Sequence, residues 1–328
     1  SFRNFYSAGI HTNHGLYDNL YSFPAMMKRN LMKGSVIPRY SGLPTVLKEN
    51  GYYNLFFMTH EGQYDNMNAF FRTNGYDEVF SQENYPADKV VNSFGVQDDF
   101  LYDYAIPVLN QRAATGQPFF ATLLSISNHP PYVIPPFFHP KTSEPETQIV
   151  EYADWALRQF FEEARKQPWF DNTIFVLEGD HGKLVGDAEC ELPESYNHIP
   201  LMIYSSRIQP EEKTTFGGQV DIQPTILGLL NIDYLQNNFG VDLLKEERPC
   251  MFYTADNMVV GRNDTLLYLY NYETQQELTY DIGNGKLNAV PMDDSFLPLK
   301  EYSFSMLQSA EFLVKHGKTL NSIPFTQQ

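Results

Sequence analysis

Through the first 244 residues, short apolar runs alternate with stretches of helical periodicity. The runs are rich in β-branched and aromatic side chains, as in strands that are buried on both faces. They cover residues 2–6, 53–58, 118–127, 174–177 and 198–204. Because helical patterns lie between them, we predict an α/β fold with a mostly parallel central sheet and helices on both faces.

From Met251 onward the pattern changes to short alternating segments separated by turns, which is typical of an antiparallel sheet. A last helical pattern covers residues 297–316. We therefore predict two domains. Residues 1–248 form the α/β domain, and residues 249–328 form a small subdomain of antiparallel sheet and helix that packs on it.

Charge and cysteine content exclude several classes of protein. The formal net charge is −17 over 328 residues, and the longest basic block is Lys28 with Arg29. Nucleic acid is therefore excluded as a partner, because phosphate backbones need clustered Lys and Arg. An anionic substrate held by a metal ion stays open.

Cys190 and Cys250 are too few for a disulfide framework and form one bridge or none. The apolar runs are shorter than the roughly 20 residues that span a bilayer.

The strand predicted at residues 174–177 leads into a polar segment over residues 178–182 that contains Asp180 and His181. In an open α/β sheet, ligands bind beyond the carboxyl ends of the strands. A carboxylate beside an imidazole suits Zn or Mn, and the flanking glycines allow the backbone to approach closely. From these residues alone, metal ligation and a solvated turn are both open.

Three other polar residues stand at element ends. Thr12 lies where the first turn meets a helical pattern. It is either an N-cap or a nucleophile toward a phosphoryl group, which a helix N-terminus attracts. His60 and His129 follow the strands predicted at residues 53–58 and 118–127. His60 either contacts substrate or is a solvated loop residue.

Four segments together resemble one family. They are Asp180-His181-Gly182, Ser127-Asn128-His129-Pro130-Pro131, the nine residues from Gly217 to Thr225, and Gly9-Ile10-His11-Thr12. The chain resembles the sulfatase/alkaline-phosphatase superfamily over residues 3–285, and within it the branch of lipoteichoic acid synthase-like phosphoglycerol transferases. The first domain is therefore expected to be a sulfatase-like catalytic domain.

The residue at the nucleophile position decides between the branches. Sulfatases that use formylglycine carry Cys or Ser in a Cys/Ser-x-Pro-x-Arg motif. At the matching turn this chain has Thr12 followed by Asn13, His14, Gly15 and Leu16. The resemblance thus implies a covalent phosphothreonine at Thr12 and transfer of a phosphoryl-linked group, not hydrolysis of a sulfate ester.

The resemblance also implies one divalent metal ion, with Mn favoured and Zn or Mg as alternatives. Its ligands are Thr12, Asp180, His181 and an acidic residue that belongs upstream of Thr12. The chain starts at Ser1, without an initiator Met, and runs directly into folded-looking sequence. We therefore expect an N-terminally truncated fragment in which this fourth ligand is missing and the metal is bound weakly or is absent.

The residues expected to bind substrate are His60, Asn66, His129 and His198. His129 matches the histidine that contacts the substrate phosphate in this branch, as a hydrogen-bond partner or general acid. His198 lies where related enzymes place a basic residue near the metal.

The segment after His60 departs from the pattern of the branch. Lipoteichoic acid synthases have a Trp and an Arg there for glycerol phosphate, and this chain has Tyr64, Asp65 and Asn66. Loss of the Arg removes a bidentate phosphate donor, so the exact substrate stays open.

Three functions are consistent with these residues. The first is a metal-dependent phosphotransferase that moves phosphoglycerol, or a similar head group, from an anionic phospholipid to a glycan or glycerol hydroxyl. The second is a sulfuric or phosphoric ester hydrolase, against whose sulfate version the absent formylglycine motif argues. The third is a catalytically silent domain that binds a glycan or lipid head group. The family implies a membrane-anchored parent protein, with this domain on the extracytoplasmic face.

Overall fold

The computed structural model describes residues 1–34 and 36–321. The chain forms two compact units. The larger unit contains the described residues of Ser1–Leu43, Ile174–Tyr204 and Ile208–Gln328. The smaller unit contains Pro44–Thr173 and Ser205–Arg207. The division at residue 248 that the sequence suggests stays a prediction.

The regular elements are numbered along the chain. The helices are α1 (Thr12–Tyr21), α2 (Leu43–Glu49), α3 (Met67–Thr73), α4 (Asp98–Ala113), α5 (Pro145–Ala164), α6 (Ile222–Leu229) and α7 (Leu297–Lys315). The strands are β1 (Phe2–Tyr6), β2 (Tyr53–Met58), β3 (Glu78–Phe80), β4 (Phe119–Leu124), β5 (Phe175–Glu178), β6 (Leu201–Tyr204), β7 (Lys213–Gly218), β8 (Met251–Thr254), β9 (Met258–Arg262), β10 (Leu266–Asn271), β11 (Gln276–Asp281) and β12 (Asn288–Ala289).

The α/β part contains a sheet in each unit. In the larger unit the strand order is β5-β6-β1-β7. There β1 is parallel to β7, and β6 is antiparallel to both β1 and β5. In the smaller unit the order is β3-β2-β4, and both pairings are parallel. The predicted α/β class is confirmed, and β6 is the strand that departs from parallel pairing.

The C-terminal sheet of the larger unit is antiparallel throughout, in the order β12-β11-β10-β9-β8, as predicted. Its inner face shares one apolar core with β1 and β7, in which Tyr6, Phe216, Tyr253 and Val260 are buried together. Helix α7 packs against β9 so closely that a Cβ at Gly261 would lie 2.8 Å from the Leu299 carbonyl oxygen. The sheet is therefore part of the structure that supports β1.

Two expectations about the whole chain are settled within the described residues. Cys190 is half-buried and Cys250 is buried, and both are free thiols. Of the helices described in residues 1–34 and 36–321, none is both long enough and apolar enough to cross a membrane.

Candidate functional site

Thr12 is the first residue of α1. The residue before it, His11, has the extended backbone of an N-cap, with φ −132° and ψ 147°, and its side chain makes no capping hydrogen bond. The backbone N–H groups of His14 and Gly15 donate to the His11 carbonyl oxygen at 2.9 and 3.2 Å. The interpretation of Thr12 as an N-cap is therefore wrong. Its hydroxyl stands at the helix N-terminus, where the exposed N–H groups and the helix dipole favour an anion.

Asp180 and His181 follow β5 directly. The His181 amide donates to Asp180 Oδ1 at 2.9 Å. His181 Nδ1 lies 2.7 Å from the Gly182 carbonyl oxygen, so this nitrogen carries the proton and donates. His181 Nε2 is thus an acceptor, and it lies 3.7 Å from Asp180 Oδ2. An imidazole with one ring nitrogen held by a carbonyl oxygen, beside a carboxylate, is a pair of side chains that could ligate a divalent cation.

The first turn of α1 lies directly against this segment. A Cβ at Gly15 would come within 2.4 Å of the Asp180 carbonyl oxygen. The same carbonyl accepts a 2.8 Å hydrogen bond from Gln219 Nε2, which also donates to Gly179 at 3.2 Å. Gln219 Oε1 accepts from the Ala8 amide at 2.8 Å. The fully buried Gln219 side chain therefore links the chain before Thr12 to the chain that carries Asp180.

Two histidines and an acid beside Thr12 were missed by sequence reasoning. His11 Nε2 donates to Asp256 Oδ1 at 2.7 Å, and both side chains are half exposed. The His14 ring lies 5.1 Å from that of His11 and is buried. Burial and the nearby His11 lower the pKa of His14 to about 4. His11 and His14 lie in the turn that the sequence singled out, but Asp256 is far away in sequence and no local pattern points to it.

The acid before Asp180 differs from it in environment. Burial raises the pKa of Glu178 well above its ordinary value, and the charge of Asp180 adds to this effect. Among the residues that the structure describes, no group of three or more His, Cys, Asp or Glu side chains is arranged to hold a metal ion. The roles of Asp180, His181 and Thr12 as metal ligands therefore stay a prediction.

The loop after His181 is held by the C-terminal sheet. A Cβ at Gly182 would lie 2.0 Å from the Ser195 carbonyl oxygen, so the loop returns directly over this glycine. Glu194, in the same loop, accepts from the guanidinium of Arg262 and from the Tyr6 hydroxyl at 3.0 Å. Arg262 belongs to β9 and is itself stacked over the Tyr6 ring, 5.0 Å from its centroid. The sheet thus contacts the site in two places. Asp256, between β8 and β9, accepts from His11, and Arg262 of β9 donates to Glu194.

His198 makes structural contacts within the same unit. Its Nε2 lies 2.7 Å from the Arg3 carbonyl oxygen, and its ring stacks on Tyr6 at 5.1 Å. Its Nδ1 is 3.9 Å from Glu194 Oε1. These contacts engage both edges of the ring, and a role in substrate binding stays a prediction.

The smaller unit contains the other three predicted substrate residues. His60 follows β2 and is buried, with Nδ1 3.1 Å from the Glu61 carbonyl oxygen. Burial lowers the pKa of His60. Asn66 has a left-handed backbone, with φ 62°, and follows Asp65 with φ 49°. His129 follows β4, and its Nδ1 is 2.7 Å from the Pro130 carbonyl oxygen.

His60 and His129 belong to one row of four rings in this unit. The Tyr64 ring lies 4.6 Å from that of His60 and 6.3 Å from that of Phe94. Phe94 in turn lies 4.2 Å from His129. We refer to His60, Tyr64, Phe94 and His129 as the ring row. Phe94 was not predicted from the sequence, because it lies in a turn between elements.

A family model described as Sulfatase matches residues 1–232. The chain belongs to the sulfatase family. Curated relatives of this sulfatase-family chain include lipoteichoic acid synthase 1 of Bacillus subtilis, 26% identical over 75% of the chain and 40% of the relative. Phosphoglycerol transferase I of Xanthomonas campestris is 26% identical over 70% of the chain and 34% of the relative. The chain thus spans 40% or less of the length of these two relatives.

Solved structures agree with the family assignment. A protein of the alkaline phosphatase superfamily from Vibrio parahaemolyticus superposes with a TM-score of 0.86 at 26% identity, over 97% of this chain and 79% of that one. A lipoteichoic acid synthase from Listeria monocytogenes has a TM-score of 0.81 at 21% identity, over 95% and 82% of the two chains. The second likeness supports the fold alone. The resemblance to the superfamily drawn from sequence motifs is confirmed.

Proposed function

We propose that this chain is the catalytic domain of an extracytoplasmic, metal-dependent phosphotransferase. It transfers phosphoglycerol, or a similar head group, from an anionic phospholipid to a glycan or glycerol hydroxyl through a phosphothreonine at Thr12. The observation that carries the proposal is the position of Thr12 as the first residue of α1. The first turn of this helix lies against Asp180. The names of the relatives support the same reaction class.

Thr12, Asp180 and His181 are the residues that would hold a divalent cation, with Mn favoured and Zn or Mg as alternatives. When bound, such an ion lowers the pKa of a hydroxyl ligand and stabilises negative charge on a phosphoryl group. Burial and the charge of Asp180 raise the pKa of Glu178, which disfavours its charged form.

Two displacements at phosphorus complete the reaction. Thr12 Oγ1 attacks the phosphodiester, the bond to diacylglycerol breaks, and the Thr12 proton ends on the diacylglycerol hydroxyl. The acceptor oxygen then attacks the phosphothreonine, the bond to Thr12 breaks, and the acceptor proton returns to Thr12. In both steps the N–H groups at the start of α1 are placed to bind phosphoryl oxygens.

Mass spectrometry of the intact protein tests the nucleophile. The chain is incubated with phosphatidylglycerol vesicles and Mn²⁺ and quenched in acid. We expect a mass increase of one glycerophosphoryl group, located on Thr12 by peptide sequencing, and release of diacylglycerol. Thr12→Ala should lose the adduct and reduce diacylglycerol release by at least about a thousandfold. Thr12→Ser, which keeps a hydroxyl, should retain a measurable adduct.

Full release of diacylglycerol by the Thr12→Ala variant would refute the covalent mechanism. Release of inorganic sulfate or phosphate from small aryl esters, with no adduct from lipid, would instead indicate the ester hydrolase. The extracytoplasmic location and the membrane anchor of the full-length protein belong to the same proposal. Protease accessibility of this domain in intact cells tests them.

A further inference from the structure

The loop between α1 and α2 differs in charge from the rest of the chain. Residues 19–48 contain five Lys and Arg residues and no Asp or Glu, although the chain has 40 acidic residues and a net charge of −17. Four of these basic residues precede α2 and are exposed: Lys28, Arg29, Lys33 and Arg39. We refer to residues 26–34 and 36–39 as the basic segment. It is a positively charged stretch on an acidic protein.

Buried contacts give the basic segment a defined shape. The Arg29 amide donates to the Met26 carbonyl oxygen at 3.1 Å, which closes a turn around Lys28. At the other end, the Arg39 carbonyl oxygen accepts a 2.5 Å hydrogen bond from the Thr319 hydroxyl. Three apolar side chains of the segment are buried: Met26, Leu31 and Met32. The basic side chains are therefore displayed by a folded loop.

One apolar side chain of the basic segment is turned to solvent. Val36 is 80% exposed, the largest exposed fraction among the large hydrophobic side chains that the structure describes. Contact with a bilayer gains from apolar area that enters the interface and from the attraction of Lys and Arg to anionic lipids. The segment combines both features.

The basic segment lies beside α1, in the same unit as the candidate site. Its Arg29 backbone lies next to the ring of His14, two residues after Thr12. The charge of Arg29 also acts on Tyr17 of α1 and on Tyr40. A surface that met this segment would therefore be close to the first turn of α1.

We propose that the basic segment docks this domain on an anionic bilayer surface. Each Lys or Arg near such a surface strengthens binding about fivefold. The net charge of −17 would otherwise repel the chain from it. A bilayer fits better than a single anion, because the four basic residues are spread over residues 28–39 with an exposed Val36 among them. The inference rests on the proposed function only in making the docked lipid the donor.

Vesicle sedimentation tests docking without turnover. The Thr12→Ala chain is mixed, in EDTA, with vesicles of phosphatidylcholine alone or with an equal amount of phosphatidylglycerol or phosphatidylserine. It should bind the two anionic vesicles with similar affinity, and phosphatidylcholine at least about tenfold more weakly. Raising the salt from about 50 to about 500 mM should weaken anionic binding at least about tenfold. Because this variant lacks the nucleophile and phosphatidylserine lacks phosphoglycerol, failure of docking is separate from failure of the Thr12 adduct in the unaltered chain.

Charge reversal locates the contact. Lys28→Glu/Arg29→Glu should weaken binding to the anionic vesicles at least about thirtyfold. Arg165→Glu/Lys166→Glu makes the same change in net charge at an exposed basic pair directly after α5 and is the matched control. It should stay within about threefold of the parent, because it leaves the basic segment intact. Val36→Ser should weaken binding by a smaller factor, about threefold.

If Lys28→Glu/Arg29→Glu fails to fold, Arg39→Glu serves in its place. Equal loss of binding in the two double variants, or equal binding to phosphatidylcholine, would overturn the proposal. Binding of soluble polyphosphate without binding of vesicles would also overturn it, and would assign the segment to a polymer.

Discussion

The two regions that carry the predicted site residues surround histidine differently. In the larger unit, His11 donates to the carboxylate of Asp256, and His181 donates to a backbone carbonyl. In the smaller unit, His60 and His129 lie against the rings of Tyr64 and Phe94. All four histidines therefore have a ring nitrogen within hydrogen-bond distance of an oxygen, and His60 and His129 additionally pack against aromatic rings.

This difference concerns how each imidazole is held. An imidazole whose proton is held by an oxygen presents its other nitrogen as a directed lone pair, which suits a cation or a proton in transit. Contacts with aromatic rings further restrict the orientation of His60 and His129. Under the proposed function, the larger unit carries Thr12, Asp180 and His181, and the smaller unit carries the predicted substrate residues His60, Asn66 and His129.

The mutation with the largest expected effect tests the larger unit, where Gln219 fixes the chain around Asp180. Gln219→Ala removes the three hydrogen bonds that join Ala8, Gly179 and Asp180. The buried Ala8 amide then lacks its acceptor, and a cavity replaces the side chain. We expect a loss of about 3 kcal/mol in the free energy of unfolding, measured in urea. The proposed transfer should fall further than this loss explains, because Asp180 is no longer fixed against α1.

Gln223→Ala is the matched control. Gln223 is equally buried and lies near the start of α6, but its hydrogen bond is to Asn238. Loss of its side-chain packing should lower the free energy of unfolding of this variant. The rate of transfer by the folded protein should stay within about twofold of the parent. Equal loss of transfer in the two variants would mean that Gln219 acts only through stability.

The sequence predicts the elements of this fold better than their partners. Strand β2 matches its predicted bounds, because a buried apolar run ends where polar residues begin. Strand β3 was not predicted, since its three residues are too short for a periodic pattern. The antiparallel direction of β6 was not predicted either, because strand direction depends on the connections and not on the apolar pattern.

For the candidate site, too, the sequence indicates single residues but not the contacts between distant parts of the chain. Asp180, His181 and Thr12 could be proposed from the sequence because each adjoins an element end that the pattern marks, and their roles stay predictions. Asp256 and Phe94 were missed, since each comes to its place through a contact distant in sequence. Local motifs therefore indicate candidate reacting groups, and the tertiary structure is needed for the side chains that contact them.

The next effect tests whether the C-terminal sheet supports the larger unit's site. Arg262→Ala removes the ion pair with Glu194 and the stacking on Tyr6. Glu194 is half exposed and regains water, so we expect a loss of about 1–2 kcal/mol in the free energy of unfolding. We also expect weaker Mn²⁺ binding by calorimetry, because the loop that returns over Gly182 loses its anchor. Arg262→Lys should restore part of the lost stability and part of the lost Mn²⁺ affinity.

Lys300→Ala is the control, an ion pair between α7 and β11 of the same sheet. Lys300 pairs with Glu277, and both side chains are about one-third exposed. This variant should cost less than about 1 kcal/mol and leave Mn²⁺ affinity unchanged. If both variants weaken the metal equally, the sheet acts on the site through general stability and not through Glu194.

The smallest expected effect is a difference in the pH dependence of stability between Asp18 in the larger unit and Glu83 in the smaller unit. Burial raises the pKa of Asp18 on α1, and Asp221 adds to this, while Arg248 opposes it. A carboxyl whose pKa is higher in the folded state contributes stability that is complete below its unfolded pKa, about 3.9, and is lost as pH rises toward the folded pKa. Glu83 beside the ring row has the opposite sign. Its contribution is present above its unfolded pKa, about 4.3, and is lost as pH falls through the folded pKa.

Two isosteric variants should therefore respond to pH in opposite ways. Asp18→Asn should raise the urea midpoint at pH 8 relative to the parent, and the gain should shrink as the pH falls through about 3.9, below which the parent's carboxyl is protonated in both states. Glu83→Gln should lower the midpoint at pH 8, and its cost should shrink as the parent loses its charge below pH 4. Parallel pH profiles for the two variants would mean that the pKa values of Asp18 and Glu83 shift in the same direction on folding, against the opposite environments described for them.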